Sequence, residues 1–202
     1  MERVRLPEPN AEGDISVERA IRRRCSCRQF ADEPIGLEYL SQVLWCAQGI
    51  TGDDGRRRAA PSAGATYPMF LYVAVREGGV RGVEAGIYRY VPADHALEPH
   101  SEGDKHRQIA AAALNQDFLA GASALILMAA DYARTTGRYG ERGIRYVAME
   151  AGHIGQNIYL QAEALGLGTV AIGAFYDDQL AVAFGLSDDR DALYLMSVGH
   201  PR

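Results

Sequence analysis

Two stripes of residues with helical spacing run through 144–165, and they constrain the fold more than any other feature of the sequence. The polar stripe repeats every three or four positions, the spacing of neighbours on one face of an α-helix. It consists of Tyr146, Glu150, His153 and Asn157. The apolar stripe consists of Ile144, Val147, Ala148, Ala151, Ile154, Ile158, Ala162 and Leu165. The sequence therefore predicts a long helix with one face in the core and another that makes specific hydrogen bonds.

Glu150 and His153 also form a Glu-x-x-His element, the type that di-iron helical bundles use. Those bundles need two such elements and two further carboxylates, whereas this sequence has the element once. A satisfied hydrogen-bond network at an interface is therefore favoured over a di-iron centre, and we expect no metal site.

Strands and helices are mixed irregularly along the rest of the chain. Apolar runs predict strands at 69–75, 85–92, 123–131, 168–175 and 192–199. Helical spacing predicts helices at 16–24, 37–48, 106–119 and 177–184. Residues 132–143 contain glycines and are predicted to form a linker. The polar stretch 51–68 is predicted to be a long loop that is either functional or mobile, and residues 1–14 to be an extended arm. This pattern indicates one α+β domain over residues 1–202.

Composition excludes several functional classes. The formal net charge of −5 gives no general attraction for nucleic acid. No apolar run approaches the roughly 20 residues of a membrane span, and the N-terminus lacks the apolar core of a secretory signal, so we expect a cytoplasmic protein. The three cysteines are odd in number and lack zinc-site spacing, which favours reduced thiols over a disulfide framework.

The segment "RRRCSCRQF", residues 22–30, concentrates positive charge around two cysteines. Arg24, Ser26 and Arg28 alternate, so an extended backbone would place all three on one side. Two guanidiniums and a hydroxyl can clamp a phosphate through charge-assisted hydrogen bonds. Cys25 and Cys27 would then point the other way, into packing. A solvated basic helix end is the alternative interpretation.

The segment "PSAGATYP", residues 61–68, is a turn of small residues between prolines. Small side chains allow a planar ligand to approach the backbone closely, and the Ser62 hydroxyl and exposed amides could bond to ring heteroatoms. A tight structural loop is the alternative. The glycine-rich "GLGTVAIG", 166–173, is no dinucleotide fingerprint, because it precedes a predicted strand instead of following one.

Taken together, these stretches resemble the nitroreductase family of FMN-dependent oxidoreductases, and within it the SagB-type branch of thiazoline and oxazoline dehydrogenases. The resemblance rests on Arg24–Phe30 (R-x-S-x-R-x-F), on 61–68 and on 139–175. It implies an α+β nitroreductase-like fold with a mixed central sheet flanked by helices. It also implies a domain-entwined homodimer with FMN at the subunit interface, near the polar stripe of the long helix.

The resemblance also implies roles for individual residues. Arg24, Ser26 and Arg28 would hold the FMN phosphate, and Arg202 would stand in for a basic ligand that many members carry beyond their last strand. Pro61, Ser62, Ala63 and Ala65 would cover the flavin ring from the partner subunit. Asn115 and Gln116 would reach the polar edge of the ring. Gly173 and Ala174 would bring main chain near its reactive N5, and no side chain would act as a catalytic acid or base.

Three positions depart from the family's common pattern. Many members have Arg, Asn and Glu where this chain has Cys25, Ala65 and Gly173. Some peptide dehydrogenases of the branch use a Lys-Tyr pair, whereas the only lysine here, Lys105, lies outside any matching motif.

The resemblance implies a two-step oxidoreductase. NAD(P)H would deliver hydride to the flavin N5, and a small nitroaromatic, quinone or related acceptor would then take it from the same face, in ping-pong fashion. Two alternatives stay open: a dehydrogenase of a peptide azoline or another specialised substrate that works with partner proteins, and a flavin-binding protein without turnover.

Overall fold

A central sheet organises the fold. The computed structural model describes residues 1–52 and 55–202, and within these it forms a seven-stranded sheet in the order β1-β4-β3-β2-β5-β7-β6. The strands are β1 (Val4–Arg5), β2 (Met69–Val75), β3 (Gly86–Val91), β4 (Ala96–Glu102), β5 (Ala124–Ala130), β6 (Gly168–Ile172) and β7 (Asp191–Gly199). Strand β6 is one edge of the sheet.

The pairing direction corrects the expected mixed sheet. Every pairing between these strands is antiparallel, and parallel contacts among the described residues are limited to isolated bridges at Ser26–Thr169 and Ile35–Val80. Strands β3 and β4 each turn back beside the strand before them, and β7 returns beside β6. Such connections need no crossover to a parallel neighbour.

Six α-helices flank the sheet within the described residues. They are α1 (Val17–Arg23), α2 (Leu37–Gln48), α3 (His106–Ala112), α4 (Ala133–Tyr139), α5 (Arg142–Ala164) and α6 (Asp177–Phe184). Short 3₁₀ helices cover Ala63–Ala65 and Asp117–Gly121. The Ser16 side chain caps α1 by accepting the Arg19 N–H, as its position before the helix predicts.

The core lies on both faces of the sheet. Helices α2 and α5 pack on one face, where they bury residues such as Leu44 and Ile154. Helices α3 and α6 cover the other face with Ile109 and Phe184. All seven residues of the central strand β5 are buried, because helices cover both of its sides.

Four elements differ from the sequence prediction. Helix α3 ends at Ala112 instead of near 119, because Leu114 and Asn115 adopt left-handed φ angles of 58° and 56°. The predicted linker 132–143 contains α4, separated from α5 by Gly140 at a φ of 57°. The arm includes β1, which pairs with the unpredicted β4.

Helix α5 has the predicted length, but its apolar stripe is not buried throughout. Val147, Ile154 and Ile158 are fully buried. Ile144 is 54% exposed and Ala148 is also exposed, so both were wrongly assigned to the core. Both lie on the N-terminal half of the helix, on the side turned away from the sheet.

Candidate functional site

The basic segment after α1 runs along the free edge of β6. Ser26 forms a parallel bridge with Thr169, and the Cys27 N–H donates to the Thr169 carbonyl at 2.9 Å. The segment is therefore extended at this point, as the phosphate-clamp interpretation requires. The Thr169 hydroxyl beside it is buried without a hydrogen-bond partner among the described residues.

Three of the predicted phosphate residues line one cavity of about 540 Å³: Ser26, Arg28 and Arg202. The C-terminus reaches this place because the Arg202 N–H donates to the Gln29 carbonyl at 3.0 Å. Arg23 and Glu163 also line the cavity and form an ion pair at 2.9 Å. Arg28 and Arg202 therefore leave the cavity with a positive charge that suits a phosphate.

Arg24 does not line this cavity. Its guanidinium lies over the ring of Tyr159, 5.3 Å from the ring centroid. The Tyr159 hydroxyl is 3.0 Å from the Ser26 hydroxyl and accepts the Ala171 N–H at 3.0 Å. Tyr159 thus joins α5 to Ser26 and to the edge of β6. Sequence reasoning assigned it no role, because it lies off both stripes of the helix, although it falls within the stretch 139–175 that carries the resemblance.

The cysteines follow the predicted arrangement only in part. Cys27 is half-buried against Gly168, where an added Cβ would lie 2.6 Å from the Cys27 sulfur. Cys25 is exposed and lines the phosphate-side cavity, so the expectation that it packs inward was wrong. The contact with β6 begins at Ser26, so Cys25 precedes the part of the segment that lies against the strand. Burial raises the pKa of the third thiol, Cys46.

A second group of predicted residues meets at the other end of β6. The Gln116 amide donates to the Ala113 carbonyl at 2.8 Å and to the Ala174 carbonyl at 3.3 Å. Asn115, Gly173 and Ala174 are exposed beside it. From Thr169 to Gly173 the chain advances about 13 Å at roughly 3.3 Å per residue. The basic cluster and this amide cluster therefore lie at opposite ends of one strand.

The loop of small residues is held tightly within the chain. Gly64 and Ala65 adopt left-handed φ angles of 57° and 53°. The Gly64 carbonyl accepts a hydrogen bond from Arg138 at 3.0 Å. The Ser62 hydroxyl accepts a hydrogen bond from the Tyr67 N–H at 2.9 Å. The sequence suggested that this hydroxyl would be free to bind a ligand, whereas in the structure it is engaged within the loop. Pro61, Ser62, Ala63 and Ala65 line none of the phosphate-side cavity.

The polar stripe of α5 supports this same loop. The Asn157 amide donates to the Cys46 carbonyl at 2.9 Å and the Ala59 carbonyl at 3.4 Å. The His153 Nδ1 lies 3.3 Å from the Pro61 carbonyl. Asn157 and His153 of the predicted network therefore contact the end of α2 and the loop of the same chain, whereas the Tyr146 ring packs edge-on against Tyr139.

Glu150 is the buried acid of this network. Its side chain is 2% exposed and accepts a hydrogen bond from the Gln48 amide at 3.1 Å. Burial raises the pKa of Glu150, while hydrogen bonds from Ser62 and Gln48 act in the opposite direction.

The described residues contain no group of three or more His, Cys, Asp or Glu residues that could hold a metal ion. Likewise, no helix among them is both long and apolar enough to cross a membrane. A cavity of about 670 Å³ lies under the N-terminal arm against Tyr39 and Trp45, and none of the predicted cofactor residues lines it.

The residues present fit an FMN molecule at two separate points. A phosphate needs cations and a hydroxyl, which Arg28, Arg202 and Ser26 supply at one end of β6. A flavin ring edge needs amides and open main chain. The exposed Asn115 and Gly173 supply these at the other end, beside Gln116, whose amide N–H groups already donate to the Ala113 and Ala174 carbonyls.

Comparison with known proteins places the chain in a family. The model of the nitroreductase family matches residues 21–200. A protein of Methanocaldococcus jannaschii, named as a nitroreductase, is 44% identical over 196 residues, covering 97% of this chain and 95% of that protein. The microcin B17-processing protein McbC of Escherichia coli is 26% identical over 172 residues, covering 78% of this chain and 59% of McbC.

Solved structures agree with the family match. A crystal structure from Ralstonia eutropha, described as a nitroreductase, superposes with a TM-score of 0.86 at 28% identity, covering all of this chain and 90% of that one. The NADPH:FMN oxidoreductase of Vibrio harveyi, complexed with NAD+, superposes with a TM-score of 0.66 at 21% identity, covering 92% of this chain and 68% of that one. This chain is a member of the nitroreductase family, with a nitroreductase-like fold.

Proposed function

We propose that this protein binds FMN along β6 and is an NAD(P)H oxidoreductase for a small nitroaromatic, quinone or related acceptor. The observation that carries the proposal is the placement of a basic cluster and an amide cluster at opposite ends of one edge strand. The Vibrio harveyi neighbour, an NADPH:FMN oxidoreductase by name, supports the choice of cofactor and reductant.

The chain's own residues would divide the work of binding. Arg28, Arg202 and Ser26 would hold the phosphate, and Tyr159 would orient Ser26. Gln116 and Asn115 would face the polar edge of the ring, beside Gly173 and Ala174. The flavin, when bound, supplies the capacity to accept hydride from NAD(P)H and to pass it to the acceptor.

A homodimer would complete the site. The loop residues Pro61, Ser62, Ala63 and Ala65 are anchored on α4 and α5, away from the basic cavity of their own chain. They would cover the ring bound by the partner subunit. Ile144 and Met149 of α5 are 54% and 51% exposed, which gives this helix an apolar outer surface suited to such a contact.

The arrangement gives no support to a lysine base. Lys105 stands just before α3, whereas the amide cluster follows the other end of that helix. Seven helical residues separate the two by about 10 Å. We therefore propose that no side chain of this chain transfers a proton as an essential catalytic acid or base.

A second function is favoured by one specific observation. McbC, which is named as a microcin B17-processing protein, matches 78% of this chain. This likeness supports a dehydrogenase of a peptide azoline, which would act together with partner proteins. Its low identity of 26% makes it the second candidate.

Steady-state turnover separates the two functions. The purified protein, loaded with FMN, is assayed for NADH and NADPH oxidation with menadione or a nitrofuran as acceptor. The proposed function predicts acceptor-dependent oxidation of NADH or NADPH by the protein alone. Bound flavin that neither nicotinamide reduces, or that no generic acceptor reoxidises, would contradict it and favour the peptide dehydrogenase.

A further inference from the structure

A third cavity, of about 200 Å³, is lined by none of the predicted cofactor residues. It is bounded by the end of α2, the start of β2, the end of β3, and α4. Arg58, Arg89 and Arg134 line it together with the aromatic rings of Tyr67, Phe70 and Tyr90. None of its described lining residues is acidic.

The three arginines differ in how their charge is balanced. Arg89 forms an ion pair with Glu98, its partner across β3 and β4. Arg134 approaches Asp131 only at 3.8 Å. Arg58 has no ion-pair partner among the described residues, and one guanidinium nitrogen donates to the Gln48 carbonyl at 3.1 Å. The cavity therefore carries positive charge that its described lining residues do not neutralise.

Desolvation makes this imbalance costly. Arg58 is half-buried, and burial lowers the pKa of its guanidinium, as does the positive charge of Arg134. Electrostatic interactions with Tyr67, Tyr90 and Glu150 act in the opposite direction on the pKa of Arg58, but Glu150 lies outside the cavity lining. An anion bound between Arg58 and Arg134 would offset the cost of burying the Arg58 charge and would reduce the repulsion between the two guanidiniums.

The aromatic walls restrict the shape of such an anion. The Arg58 guanidinium lies 5.3 Å from the centroid of the Tyr67 ring, and the Arg134 guanidinium lies 5.0 Å from that of Phe70. Guanidiniums fixed against rings present their donor edges in a plane that suits a carboxylate. At about 30 Å³ per water molecule, the space is that of roughly seven waters, which limits the ligand to a small molecule.

We propose that this cavity binds a small aromatic carboxylate, with its carboxylate between Arg58 and Arg134 and its ring against the aromatic side chains. The site is independent of the proposed flavin function, since none of its lining residues belongs to the predicted cofactor set. It also contacts the loop of residues 61–68, because Tyr67 lines the cavity and its carbonyl accepts a hydrogen bond from Arg134 at 2.8 Å.

Calorimetric titration of the purified protein with benzoate tests this site. We expect saturable binding of benzoate and at least tenfold weaker binding of neutral benzamide, which has the same ring without the charge. Arg58→Gln should weaken benzoate binding by about tenfold or more, the effect of losing a charged hydrogen bond. Arg107 is exposed and lies outside the cavity, so Arg107→Gln is the matched control. This variant should bind benzoate as tightly as the parent protein does.

A second variant guards against a folding defect. Arg134→Gln leaves the contact of Arg58 with Gln48 in place and should also weaken benzoate binding, with an unchanged circular dichroism spectrum. Absence of benzoate binding to the parent protein would overturn the proposal. Equal binding to Arg58→Gln and Arg107→Gln, or inorganic phosphate binding more tightly than benzoate, would overturn it as well.

Discussion

The two ends of the candidate flavin site are built in different ways. At the basic end, Ser26, Arg28 and Arg202 are exposed side chains around a cavity. At the loop end, residues 59–67 are fixed by hydrogen bonds from α4 and α5, and Ser62 is already engaged. The basic end can therefore supply charge to a ligand, whereas the loop end supplies shape. Substitutions at the first should change cofactor affinity, and substitutions that support the second should change stability.

The largest expected effect is at the basic end. Arg28→Ala should weaken FMN binding roughly ten- to a hundredfold, because a charge-assisted hydrogen bond to the phosphate is lost. The melting temperature should hardly change, since Arg28 is exposed. Fluorescence titration of the apoprotein with FMN measures the affinity. Arg22→Ala removes an equal charge from an exposed site outside the cavity and should leave affinity intact; an equal loss in both variants would argue against a phosphate contact.

Tyr159→Phe should affect both cofactor affinity and stability, because Tyr159 contacts Ser26 of the basic end and also the backbone of β6. Loss of the hydroxyl leaves the Ala171 N–H without its partner and frees the Ser26 hydroxyl. We expect the free energy of unfolding to fall by about 1 to 3 kcal/mol, together with a severalfold loss of FMN affinity. Urea unfolding and flavin titration measure the two effects separately. A variant with lower stability but unaltered FMN affinity would show that Tyr159 supports the fold alone.

Glu150→Gln should change how stability depends on pH. Because the pKa of Glu150 is raised in the folded protein, the native state holds its proton more tightly than the unfolded chain does. Its contribution is therefore greatest below the unfolded value of 4.5 and declines as pH rises from there through the folded pKa. The Gln variant should lose this decline and gain stability relative to the parent at neutral pH. The melting temperatures of both proteins are measured across that pH range. Parallel profiles of melting temperature against pH would contradict the prediction for Glu150.

The smallest expected effects are at the two cysteines of the basic segment. Cys25→Ser and Cys27→Ser should retain nearly all bound flavin, because both are free thiols and neither supplies charge to the cavity. The Cys27 variant should lose slightly more stability, since its sulfur packs against Gly168. Flavin content per protein measures the outcome, and loss of cofactor in either variant would indicate that a thiol takes part in binding.

The sequence predicted an element well where the residues of its local apolar pattern are also the residues that are buried in the folded protein. Helix α2 and strand β2 have the predicted bounds, because their apolar spacing marks the buried face and Gly49 follows the helix. Helix α4 escaped prediction, since its sequence contains Gly137 and mostly polar residues and shows no apolar stripe, although it packs on the neighbouring α5. Strand β4 contains Pro99, which is tolerated there because β1 covers only its first two residues.

The same distinction applies to the candidate site. The residue types of the basic end could be predicted, because alternating Arg24, Ser26 and Arg28 form a local pattern. The sequence could not predict that Ser26 and Arg28 line the cavity while Arg24 does not, since Arg24 packs over Tyr159 on a helix far along the chain. The engagement of Ser62 by the Tyr67 N–H and the contact of Arg58 with the Gln48 carbonyl likewise depend on the conformation of the loop, which no spacing in the sequence records.

The central claim is that the basic segment holds a flavin phosphate in a reducible flavoprotein. The most direct test is the visible absorption spectrum of the concentrated, purified protein, loaded with FMN if necessary and repeated after addition of NADH or NADPH under anaerobic conditions. The account predicts a yellow protein that bleaches with one or both nicotinamides. A colourless protein that also fails to take up added FMN would contradict it and leave "RRRCSCRQF" as a solvated basic helix end.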